Sequence, residues 1–136
     1  MHPFVHAASN PDRPAIIMAG SGATMSYGEL EARSNQVAQL LRSLGLNRGD
    51  TISILMVNTL DYLAICWGAQ RAGLVFVAMS TKLTGEEAAY IVTDSGTKVL
   101  FASASLAETA RVAGADLPET HRLALGGAIP GFTPVS

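Results

Sequence analysis

Apolar positions along this chain follow two rhythms, one helical and one extended, and the two alternate. The first helical stretch opens at Ser26-Tyr27-Gly28-Glu29, whose S-x-x-E spacing is that of a capping box. Leu30, Val37, Leu41 and Leu44 then recur at helical spacing, with Ala38 and Leu40 beside them. Gly45 ends the run, Arg48-Gly49-Asp50 reads as a turn, and Thr51-Ile-Ser-Ile-Leu-Met-Val57 reads as a strand. A second unit starts near Asn58-Thr59, sets Leu60, Leu63, Ala64 and Trp67 on one helical face, and ends at Gly73 before strand 74–78. A third opens on Thr84-Gly85-Glu86-Glu87, another T-x-x-E cap. It passes through Ala88, Ile91 and Val92 to Gly96 and into strand 98–102. The fourth runs from Ser105-Leu106-Ala107-Glu108 to Gly114 and on to Arg122-Leu-Ala-Leu125.

Helix–strand alternation of this kind predicts an α/β fold. Its sheet should be mainly parallel and doubly wound, with helices on both faces. The strands 74–78 and 98–102 read as continuous apolar runs, as expected where both faces are covered. Ahead of the four units, Ala15-Ile-Ile-Met-Ala19 and Ala23-Thr-Met25 flank Gly20-Ser21-Gly22, which predicts a short β-hairpin over about 15–25, at a sheet edge. The tail from Gly126, with Pro130 and Pro134, has the chemistry of a loop. Residues 1–136 are therefore expected to form a single domain, a hairpin followed by four helix–strand units over about 26–125.

Composition narrows the function classes. Of 136 residues, 49% are hydrophobic and only 15% charged, which excludes disorder. The formal charge of −2 offers no basic field for nucleic acid or an anionic membrane. The longest apolar stretch, Leu60 to Met79, carries Asp61, Gln70 and Arg71, so no membrane span is expected, and the start lacks a leader pattern. With one cysteine, Cys66, no internal disulfide can form, and a cytoplasmic location follows as the default.

Candidate chemistry is sparse. Gly20-Ser21-Gly22 fails the dinucleotide-loop pattern, because the third glycine would fall on Met25, and a hairpin turn accounts for it. The chain has no G-x-x-x-x-G-K-[ST] loop and no Ser/Thr/Gly-rich run followed by lysine. His2, His6 and His121 lack the neighbours a zinc site needs. Cys66 lies between Ile65 and Trp67 and reads as an inert buried thiol. Glu86, Glu87 and Asp61 occupy first helical turns, where acidic groups meet the positive end of the helix. Lys82 follows strand 74–78 in a loop of the kind that binds ligands in open α/β sheets, and a solvated side chain is the simpler reading. No residue is assigned as catalytic, cofactor-binding or metal-binding.

The order of several segments resembles a known family. Pro11-Asp12-Arg13-Pro14-Ala15-Ile16, Met25-Ser26-Tyr27-Gly28-Glu29-Leu30, Asn35-Gln-Val37-Ala38 and Gly49-Asp50-Thr-Ile-Ser-Ile-Leu are similar to the opening of the adenylate-forming (AMP-binding) ligases. Trp67-Gly-Ala-Gln-Arg-Ala72-Gly73, Lys82-Leu83-Thr84-Gly85-Glu86-Glu87 and Tyr90-Ile-Val-Thr-Asp94-Ser95-Gly96 continue the resemblance. It spans about residues 10–103 and is strongest to the acyl-CoA synthetases, the fatty-acid or aryl-CoA ligases. Such enzymes join a carboxylate to ATP as an acyl-adenylate and pass the acyl group to coenzyme A, releasing AMP and pyrophosphate. The resemblance therefore implies ATP, Mg²⁺ and coenzyme A for a parent enzyme, none of them for this chain, whose partner would be the remainder of the synthetase. The family's phosphate loop, adenine and ribose contacts and catalytic lysine lie downstream of the resembling part. This chain departs from the family after strand 74–78, with Ala78-Met79-Ser80 where Pro-[Leu/Ile]-Asn is common.

The resulting expectation is the N-terminal subdomain of an acyl-CoA synthetase, inactive alone. An amino-acid-adenylating or luciferase-like member of the superfamily is the first alternative, and a stand-alone, non-catalytic α/β module the second. The apolar composition of so small a chain further predicts a homodimer through uncovered surface.

Overall fold

Capping chemistry fixes where the main helices begin in the computed structural model, which describes residues 2–135. Helix α2 (Tyr27–Ser43) is preceded by Ser26, whose Oγ accepts the Glu29 N–H while the Glu29 carboxylate accepts the Ser26 N–H. Helix α4 (Gly85–Asp94) repeats the device with Thr84 and Glu87, and the bonds from Thr84 hold the Glu87 carboxyl below its ordinary pKa. Helix α3 (Tyr62–Arg71) and helix α5 (Ala107–Ala113) have no such side-chain cap. The expected cap at Ser105 is replaced by a 3₁₀ turn over Ala104–Leu106. A further short helix, α1 (Pro3–Ser9), lies ahead of everything the hydrophobic pattern marked.

The strands are β1 (Pro14–Ile17), β2 (Thr24–Ser26), β3 (Thr51–Leu55), β4 (Val75–Ala78), β5 (Thr97–Ser103), β6 (Arg122–Leu125) and β7 (Thr133–Pro134). The last five form one sheet in the order β4-β3-β5-β6-β7, and every pairing is parallel. Ile52 and Ile54 of β3 and Val99 and Phe101 of β5 point to one face, where Leu41 of α2 and Ile65 and Ala69 of α3 cover them. Leu55, Leu100 and Ala102 point to the other, beneath Ala88 and Val92 of α4 and Ala110 and Ala113 of α5. The sheet is thus parallel and doubly wound, as the alternation predicts.

Four expectations need correction. The hairpin β1–β2 is antiparallel as expected but forms its own two-stranded sheet, so it does not extend the main one at an edge. Strand β4 is not covered on both faces: it is the outer strand, with Val75 53% and Phe76 41% exposed, because an apolar run reads the same at an edge as inside. The tail is not only loop, since β7 joins β6, Ile129 and Phe132 are buried, and the Val135 N–H donates to the Ala124 carbonyl. The face of α3 toward the main core carries Ile65, Cys66 and Ala69; of the four residues expected on one face, Leu60, Ala64 and Trp67 share a satellite cluster with Met25 and Leu30, whereas Leu63 is 42% exposed.

One polar chain crosses the second core. The Ser53 hydroxyl, in the central strand, bonds the Thr97 hydroxyl, which in turn meets the Ser95 hydroxyl at 2.7 Å. A shift in the β3–β5 register beside Thr97 accompanies this contact, which ties the end of α4 to the sheet.

Between α3 and β4, Gly73 turns at φ +78°, a conformation other residues adopt only with strain. An added Cβ there would stand 3.0 Å from Cγ of Arg48. Gly73→Ala is expected to lower stability by about 1 kcal/mol or more, read as a fall in the urea midpoint. An unchanged midpoint would contradict it.

Candidate functional site

In open α/β sheets ligands collect at the carboxyl ends of strands, where the chain's path reverses direction across the sheet. Here that point lies between β3 and β5, since β3 leads through α3 to β4 on one side while β5 continues to β6 on the other. A crevice of about 220 Å³ occupies it, lined among others by Met56, Val57, Thr59, Asp61, Ser103 and Ser105. The connection after β3 contributes four of these residues, Ser103 ends β5 and Ser105 follows it, and Leu125 and Gly126 at the end of β6 complete the lining.

Two of the crevice's polar side chains, Ser103 and Asp61, have protein partners. The Val57 N–H donates to Oγ of Ser103 at 3.0 Å, which bridges the two walls. Asp61 stands at the start of α3 but makes no cap there; its carboxylate accepts Nε–H of Arg33 at 3.0 Å. Asp61 thus stands at the helix start, as expected, and adds an ion pair that joins α3 to α2. A hydroxyl-rich crevice of this kind can hydrogen-bond a ligand. It holds no nucleophile–base pair and no lysine or histidine.

The other singled-out residues do not gather there. Lys82 is exposed beyond β4, where its N–H donates to Oγ of Ser80. His2 caps α1 by accepting the Phe4 N–H and sets its ring edge against Trp67, while His6 packs on Tyr27. Among the described residues no group of three or more His, Cys, Asp or Glu is placed to hold a metal. Cys66 is buried, and burial pushes its thiol above the ordinary pKa, opposite to the direction a nucleophile needs. The neighbouring Tyr62 hydroxyl is also raised, first by burial and then by Cys66.

Two features lay outside what the sequence pattern could indicate. Arg71 makes a bidentate pair with Glu31 and a third bond to Asn35, across a sequence separation that no local spacing reveals. A wide groove beside α5 is lined by Arg111 and Arg122, with the Arg122 guanidinium 5.8 Å from the Phe132 ring centre and its buried Nε unpaired.

The residues present do not fit a nucleotide with its metal. Phosphates need converging cationic donors; the crevice is lined by none, and Arg33, bound to its Asp61, is already engaged by that carboxylate. No adenylation step is derived from these groups.

Comparison with known proteins gives a consistent picture. The model of the family described as "AMP-binding enzyme" matches residues 4–128. A 4-hydroxybenzoate–CoA/benzoate–CoA ligase of Rhodopseudomonas palustris is 34% identical over 110 residues, covering 81% of this chain and 20% of the ligase. The uncharacterized protein Rv1549 of Mycobacterium tuberculosis is 31% identical over 124 residues, 91% of this chain and 70% of that protein. Among solved structures, a Mycobacterium tuberculosis fatty acyl CoA synthetase superposes with a TM-score of 0.78 at 30% identity, over 90% of this chain and 25% of the synthetase. The chain thus spans about a fifth of the ligase and a quarter of the synthetase.

Proposed function

The chain belongs to the AMP-binding enzyme family, and on that premise we propose that it is the N-terminal subdomain of an ATP-dependent acyl- or aryl-CoA synthetase, inactive by itself. The observation that carries this reading is the match of the whole helix–strand array to ligases of which it makes up only a fifth to a quarter. In the complete enzyme a carboxylate, ATP and coenzyme A would give acyl-CoA, AMP and pyrophosphate, with Mg²⁺ offsetting the phosphate charge. Fatty acids and benzoates are both candidate acids, since relatives of each kind match. The role of this part is architectural: it supplies a rigid sheet, and the remainder of the synthetase is its partner and supplies the reacting groups. Residues 1–136 act as one domain in this reading. The location proposed is the cytoplasm, in keeping with the single cysteine; among the described residues no helix is long and apolar enough to cross a membrane.

The purified chain is expected to show no carboxylate-dependent exchange of pyrophosphate into ATP, because that chemistry requires positioned donors and metal. Exchange above background that disappears when the acid is omitted would overturn the proposal.

A second reading has its own support. Rv1549 is covered by this chain over 70% of its length, which favours a module that acts without the rest of a ligase. In that case the chain, on its own, would be a homodimer with a binding or scaffolding role. The coding DNA beyond codon 136 separates the two readings: a frame running on into a glycine-rich loop with lysine supports the synthetase, and a stop supports the module.

A further inference from the structure

The two edges of the main sheet differ. Strand β7 has two residues, and one of them is Pro134, which has no N–H to offer a new strand. Strand β4 has four, all apolar, with no proline, no charge and no bulge in its pairing to β3. Natural edges usually carry one of those protections. The lack of any on β4 marks it as the edge prepared for another strand.

Backbone direction determines how that strand would sit. The N–H groups of Val75 and Met79 donate inward, to the carbonyls of Asp50 and Ile54. A strand residue directs its N–H and C=O to the same side, so Val75, Val77 and Met79 serve β3, while Phe76 and Ala78 turn both groups outward. Two copies meeting antiparallel must oppose outward residues to outward residues. Each permitted register puts a residue on the two-fold axis, and placing Phe76 or Val77 there keeps the most of β4 paired with itself. Centring on Phe76 sets the two phenyl rings side by side and Val75 opposite Val77 on both flanks, which are favourable cross-strand pairs. Centring on Val77 sets Phe76 against Ala78 and loses the ring pair.

The flanking helices extend the patch. On α3 the side carrying Gly68 abuts α2, and the opposite side, toward β4, carries the exposed Leu63. On α4 the side carrying Gly85 abuts Val112 of α5, and the other side carries Tyr90, 69% exposed. Charge agrees with a two-fold axis. The amino end of β4 has Arg48, packed on Gly73, and Asp50; the carboxyl end has Lys82 and Glu86. Antiparallel pairing brings each end of one copy beside the opposite end of its partner, where both signs of charge are present.

We propose that β4 pairs antiparallel with β4 of a second copy, centred on Phe76, joining two five-stranded sheets into one of ten strands. The inference deepens the reading of the chain as acting on its own. Its test reads mass and cross-linking and not exchange chemistry, so the two can fail separately.

Sedimentation equilibrium over a range of concentrations should give twice the chain mass for the wild type and the chain mass for Phe76→Lys, with unchanged circular dichroism. Should Phe76→Lys fail to fold, a cysteine pair decides. In the proposed register the two Phe76 Cα atoms lie about 5.5 Å apart, within reach of a disulfide. Phe76→Cys should therefore form a covalent dimer under mild oxidation, while Val112→Cys, on the far side of α4, should not. A monomer mass for the wild type throughout, as expected if β4 is instead covered by the remainder of a ligase, overturns the proposal. So does cross-linking of Val112→Cys as readily as Phe76→Cys.

Discussion

A Phe101→Ala variant should lose about 3–5 kcal/mol of stability, a large share of the roughly 5–15 kcal/mol that holds a typical domain folded. Phe101 is 1% exposed in β5, between Ile54 of β3 and Leu123 of β6, and faces the core under α2 and α3. The value should fall toward the upper end, because the ring already borders a cavity of about 70 Å³ beside Ile65 and Leu125. Truncation enlarges a void instead of allowing neighbours to close over it. The melting midpoint is expected to drop by roughly 10 °C or more, and Phe101→Leu, which keeps most of the volume, should lose less than half as much. Equal midpoints for the alanine variant and the parent would mean that the sheet and helices collapse onto the site.

Gly68→Ala should also destabilise, despite a better helix former at that position. Alanine favours a helix interior by about 1 kcal/mol over glycine, so propensity alone predicts a gain. Geometry opposes it: a Cβ on Gly68 would stand 2.6 Å from Cβ of Val37 and 2.9 Å from the Ser34 carbonyl. Those atoms are helix α2 itself, not a flexible tip. Helices α2 and α3 must separate, and overpacking of this kind costs typically 1–3 kcal/mol and on occasion more. A net loss of about 2 kcal/mol is expected, read as a lower urea midpoint. Adding Val37→Ala should restore part of it, because the two residues share one contact and their effects are not additive. A stabilised Gly68→Ala variant would show that the helices separate freely.

The sequence revealed what depends on neighbours within a few residues. Ser26 with Glu29 and Thr84 with Glu87 announce their helices because a cap is a local exchange of hydrogen bonds. Gly45, Gly73 and Gly96 announce the ends, and each has a positive φ. Long-range choices were hidden. Gly68 reads as an ordinary interior glycine until α2 is laid against it. Strand β7, two residues with a proline, carries no periodic signal and exists only because β6 offers an edge. The crevice was hidden for the same reason. Thr59 lies some 44 positions from Ser103 and Ser105, and the hydroxyl of Ser103 gains meaning only beside the Val57 N–H. The one carboxylate at the crevice is partnered by Arg33, 28 positions away, a pairing that no local spacing reveals.

The strand order also governs what happens while the chain is being made. Every pairing in the main sheet is parallel, so none can close as a hairpin, and those of β4, β5 and β6 each wait for a crossover helix to be completed. Synthesis delivers β3 and then β4, which can dock together as soon as α3 has emerged. The central strand's other side, however, pairs with β5, which arrives only after α4. For that interval the most buried strand of the finished protein, with Ile52 and Ile54 fully enclosed at the end, presents a bare apolar edge on the ribosome. Non-local pairing of this kind folds slowly, and exposed strand edges invite association between nascent chains. The edge of β3 is closed only when residues 97–103 reach it.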